Sequence, residues 1–191
     1  MMQDLFKRQF LFVDGILEED RRVDSEQRAV DWALQAALSR NKVYNTDTTE
    51  EMHAEFRDAF RTALREASHA YENKKEHIND DLHCDIIEKI SDDLSTRFKD
   101  YSVEGRLRFG TSQKAFNLYL KYLWALGKIP MPPHCPVDSI VLEAIDVDEA
   151  WTKCDSRDQY MKWISKIREH LNLTTWEHLL WFRRRLSTMG L

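Results

Sequence analysis

Two residues of this chain have types and spacing suited to joint chemistry. Lys114 stands near the start of an apolar helical stretch, and Asp138 stands at the start of the next helix, after a rigid connection. An antiparallel return of the chain over that stretch would bring the two side chains together. A partly buried lysine beside a carboxylate is a recipe for an amine nucleophile with an acid–base partner. Lys121, one more helical repeat along, is an alternative partner for Asp138 at a shorter gap. The plainer expectation is that Lys114, Lys121 and Lys128, spaced by seven, form one solvated rim of the helix.

The segment between them is unusual for this chain. Residues 130–136, "PMPPHCP", hold all four prolines. Proline lacks the amide donor and forbids continuation of a helix, so the run is expected to end the helix over 111–127. It is also cheap to order, because a proline-rich chain has little conformational freedom to lose. The preceding stretch, "KDYSVEGRLRFGTS", reads as a loop with two of the five glycines.

The elements that must carry these residues are helices. Glycine and proline are scarce, and no alternating run of β-branched residues occurs. Asp24 or Ser25 caps a helix to about residue 39, with Val30, Leu34, Ala37 and Leu38 as its apolar stripe. Helices follow over about 50–76, opened by a Thr48 capping box, and about 80–98. After 111–127 come a short helix over about 139–145 and one from Ser156 to about Leu171. Residues 2–13 predict a first helix, and the Thr174–Glu177 capping box a last one. The expectation is a single all-α domain over 1–191, built from seven or eight helices.

Composition bounds the function. With 42% apolar and 32% charged residues, the chain can build a core under a solvated surface, which argues against intrinsic disorder. A formal charge of −5 counts against a molecule that grips nucleic acid over its whole surface. It leaves room for a local basic face: between Glu104 and Lys128 five lysines and arginines oppose a single acid. No apolar run is long enough to span a membrane, and the first residues do not read as a signal peptide. Three cysteines, Cys84, Cys135 and Cys154, without a CxxC spacing favour a reduced, cytoplasmic setting. His134-Cys135 and His83-Cys84 lie about fifty residues apart with no further ligands at metal spacing, so no metal is expected. P-loop, GxGxxG and HExxH motifs are absent, and no cofactor is expected. Arg183, Arg184 and Arg185 read as cations at the end of the last helix.

The stretches "GTSQKAFNLYL" and "PHCPVDSIVLEAI" resemble the helix-hairpin-helix DNA glycosylases of base-excision repair. In that superfamily a glycine-bearing hairpin leads into a helix that begins with a lysine, and a "VD" pair opens a later helix. The archaeal 8-oxoguanine members also carry prolines before the "VD". The resemblance implies that Lys114 attacks the sugar of a damaged nucleotide and forms a Schiff base. Asp138 would then stabilise the developing sugar cation or activate the nucleophile. It further implies a flipped-out base and a phosphate held by the amides of Gly110, Thr111, Ser112 and Gln113, with Arg106 and Arg108 on the DNA-facing side. The alternative is a non-enzymatic all-α protein that binds a protein partner or a second copy of itself, with the proline segment and exposed tryptophans as its docking surface.

Overall fold

The computed structural model describes residues 24–169 apart from 40 and 73–77, together with residues 7, 10 and 11, and the described chain is all-α. Six α-helices occur among the described residues, not seven or eight: α1 (Ser25–Leu38), α2 (Glu50–Ser68), α3 (Asp80–Arg97), α4 (Phe109–Ala125), α5 (Ser139–Ala144) and α6 (Arg157–Arg168). Three short 3₁₀ turns join them at His69–Tyr71, Val103–Gly105 and Trp151–Lys153. The expected helix over 2–13 falls mostly outside the described residues; residues 7, 10 and 11 are helical. The helix from Thr174, with its arginines, lies outside them altogether.

Side-chain caps start the helices where short polar residues precede an apolar series. Asp24 accepts from the Glu26 amide, Asn79 from Leu82, Ser156 from Gln159, and Asp138 from both Ile140 and Val141. At α2 the cap is Thr49, not Thr48. Its hydroxyl accepts from the Met52 amide at 3.4 Å, while its own amide meets the Met52 sulfur at 3.5 Å. The Thr48 hydroxyl instead donates to the Asn45 carbonyl at 2.8 Å. Helix α2 stops at Ser68, short of the expected residue 76, and tightens into the first 3₁₀ turn.

Helix α4 is the axis of the fold. All seventeen of its residues are buried, and it packs most extensively against α1 and then α3. The expected solvated rim does not form: Lys114 is 7% and Lys121 1% exposed, and only Lys128, beyond the helix, reaches solvent, where it pairs with Glu26 at 2.7 Å. The proline run does not end α4 either. The helix closes five residues earlier through Gly127 at φ +77°, with the Gly127 amide donating to Trp124 and that of Lys128 to Leu123. This is the glycine-closed helix terminus in which the last carbonyls are satisfied by reversal of the chain.

Gly110, expected in a loop, belongs to the first turn of α4. The third 3₁₀ turn crosses it so closely that a Cβ at Gly110 would sit 1.9 Å from the Trp151 carbonyl oxygen. No other residue type fits that crossing.

Candidate functional site

Lys114 and Asp138 meet. The Lys114 Nζ lies 2.7 Å from Asp138 Oδ2, with the lysine side chain 9% and the aspartate 21% exposed. The lysine comes from the second turn of α4. The aspartate is the N-cap of α5, and its other oxygen accepts from the Ile140 and Val141 amides at 3.0 and 3.2 Å. Burial pushes the Asp138 carboxyl up, but the Lys114 ammonium and these amides together hold it below its ordinary value. Asp138 therefore sits ionised at the edge of the core, and it is the more open side of the pair.

The segment that delivers Asp138 is fixed by side-chain amides of α4. Gln113 donates from Nε2 to the Val137 carbonyl at 2.7 Å and accepts the Val137 amide on Oε1 at 3.1 Å. Asn117 donates to the Cys135 carbonyl at 3.2 Å, to Gln113 Oε1 at 3.2 Å and to Tyr160 Oη at 2.9 Å.

Behind Asn117 runs a buried file of polar side chains. Asn117 Oδ1 is 2.8 Å from His83 Nε2, and His83 Nδ1 is 2.6 Å from Tyr71 Oη. On the other side Tyr160 Oη is 3.0 Å from His134 Nδ1, and His134 Nε2 is 3.1 Å from Asp80 Oδ1. Asp80 receives the Arg168 guanidinium at 2.6 Å on each oxygen, which holds its carboxyl well below the ordinary carboxylate range. The two imidazoles, from pairs fifty residues apart in the chain, touch edge to face with ring centroids 4.3 Å apart. Burial pushes His134 down to about 4 and His83 well below its ordinary value, so both are neutral at pH 7.

The remaining expected residues are placed as follows. Lys121 is buried with its ammonium 4.3 Å over the Phe10 ring. Arg106 is half-exposed and paired with Asp155. Arg108 pairs with Glu104 at 2.6 Å and donates to the Lys153 carbonyl at 3.3 Å. The Gly110 amide donates to the Cys154 carbonyl at 2.8 Å, and the Thr111 and Ser112 amides to Arg108 at 3.0 and 3.2 Å. The Thr111 hydroxyl accepts from Asn41. Ser112 is fully buried. The first turn of α4 is thus occupied by the chain itself, and both arginines beside it are paired with carboxylates.

The spacing of Lys114 and Asp138 was readable in the sequence; the hold of the Gln113 and Asn117 side chains on the proline segment and the file behind them were missed. One signal was present: Gln113, Lys114, Asn117 and Lys121 recur at helical spacing within a stretch too apolar to lie at a surface. The thiols are poorly suited to nucleophilic chemistry: all three cysteines are buried, and burial pushes Cys84 and Cys154 up to about 11. Among the described residues no three His, Cys, Asp or Glu side chains converge as a metal site, and no helix there is long and apolar enough to cross a membrane. No protein-family model, curated protein or solved structure matches the chain.

Proposed function

We propose that this protein is a helix-hairpin-helix DNA glycosylase-like enzyme acting on damaged bases, with Lys114 as amine nucleophile and Asp138 as its acid–base partner. The observation that carries this is the 2.7 Å contact between a helix-borne lysine and a helix-capping aspartate 24 residues later. Nucleophilic attack requires the neutral amine, and Asp138 is the adjacent group able to take its proton. The amine nitrogen then bonds to C1′ of the sugar as the C1′–base bond breaks, the base leaving with the bonding electrons. Opening of the sugar ring gives a Schiff base, which permits strand cleavage and which borohydride reduces to a stable secondary amine. Arg106 and Arg108 would contact the substrate backbone by exchanging their Asp155 and Glu104 partners for phosphates.

The test is borohydride trapping on duplexes carrying 8-oxoguanine, other lesions or an abasic site. A covalent protein–DNA species with the wild-type chain, absent in Lys114→Ala and sharply reduced in Asp138→Asn, is expected. No trapped species on any of these duplexes would sink the proposal.

A second function is favoured by the Asp138 oxygen that accepts the Ile140 and Val141 amides, because a capping carboxylate is also architectural. The protein is then a non-enzymatic helical partner-binding or self-associating domain. Its signature is a solution mass that rises with concentration, with no salt-sensitive binding to DNA.

A further inference from the structure

The pair depends on register. Lys114 and Asp138 meet, and so do their neighbours in sequence, Gln113 and Val137. Side chain 113 pairs with residue 137, and side chain 114 with residue 138. A slip of the proline segment by one residue would set Val137 or Ser139 against the lysine instead. Four of the seven residues over 130–136 are prolines and offer no amide hydrogen, so few backbone donors remain with which to anchor the segment. Val137 is fully buried, and both of its peptide groups go to one carboxamide. That carboxamide is itself held, since Gln113 Oε1 also accepts from Asn117, whose other bonds reach Cys135, Tyr160 and His83.

We infer that Gln113 is the positioning residue of the site: its carboxamide, braced by Asn117, clamps the Val137 peptide and so delivers Asp138 to Lys114. This takes the Lys114–Asp138 pair of the proposed function as its object. Gln113 itself touches neither reacting group. An isosteric apolar residue at 113 fills the same space and leaves both Val137 groups unpaired. The pair then loosens while the α5 cap stays in place.

The test follows the Asp138 carboxyl carbon by NMR titration in isotopically labelled wild type and Gln113→Met. In wild type the midpoint lies below the ordinary value of about 3.9. In Gln113→Met it is expected to rise by about half a unit or more, with the Ile140 and Val141 amides still protected. Leu94→Ala, a core change on α3, is the control: it lowers the thermal midpoint and leaves the Asp138 titration unmoved. An unmoved titration in folded Gln113→Met overturns the inference. If that variant does not fold, the decision passes to wild type, where a through-hydrogen-bond coupling between Gln113 Nε2 and the Val137 carbonyl carbon is expected and its absence overturns the clamp. Trapping run on the same wild-type sample separates the two proposals. A moved titration without trapping removes the glycosylase and keeps the clamp; trapping with an unmoved titration does the reverse.

Discussion

Asp138 uses one oxygen for Lys114 and the other for two α5 amides, and substitutions separate these roles. Asp138→Ala strands a buried ammonium and uncaps α5, and is expected to cost about 3–5 kcal/mol. Asp138→Asn keeps a capping oxygen and should cost clearly less. Lys114→Met leaves the carboxylate with its amides and its opening to water, so about 1 kcal/mol is expected. Urea denaturation of the three variants at pH 7 checks the ranking; Lys114→Met as costly as Asp138→Ala would contradict it. In Lys114→Met the Asp138 carboxyl also titrates higher, because the ammonium that held it down is gone. The folded carboxyl lies below its unfolded value, so the stability it contributes is present above the ordinary carboxylate range and is lost as pH falls through it.

At the scale of elements, α3, α4 and α6 are joined through His83, Asn117, Tyr160 and His134, and the joint is neutral. Both imidazoles titrate below their ordinary value. Above about pH 6.5 they are uncharged in folded and unfolded chains alike and contribute no slope. As pH falls from there toward 4 the unfolded chain takes up protons first, and stability is lost. For His134, held down to about 4, the loss amounts to about 3 kcal/mol across the window. His134→Gln presents one donor to Asp80 and one acceptor to Tyr160 without titrating. It should flatten the fall in urea midpoint between pH 6.5 and 4, and an unchanged slope would count against the assignment. The caps Asp24, Asp138 and Ser156 were legible in the sequence because capping is local chemistry. Thr49 was not, since a methionine sulfur stands where an acidic or amide side chain is expected. The end of α4 was misplaced for a related reason: Gly127 reverses the chain before any proline is reached.

For the whole molecule, the all-α class followed from composition and periodicity, and Lys114 with Asp138 from residue type and spacing. The burial of α4 on every face did not, because it depends on how α1, α3 and the turn at 151–153 close around it. Nor did the file from Tyr71 to Arg168, whose members come from positions as far apart as 71 and 168 and meet only in the folded chain. Its carboxamide has one orientation. The Cys135 carbonyl only accepts, which turns the Asn117 amide nitrogen, its two hydrogens shared among Cys135, Gln113 and Tyr160, to that side and its oxygen toward His83. The Asp80 carboxylate only accepts, which puts the His134 hydrogen on Nε2. Both imidazoles should therefore show the Nε2–H form in nitrogen NMR at pH 7. An Nδ1–H signature on either would break the assignment.

That fixed sense bears on proton traffic. A file of hydrogen bonds conducts only if each member passes a proton on and then turns over to receive the next. Asn117 is a carboxamide, which carries no proton at these pH values, and the Cys135 carbonyl and Gln113 hold it from turning. The file is an insulating strut through the core, so protons exchanged at Lys114 and Asp138 must enter and leave by the open edge of the aspartate.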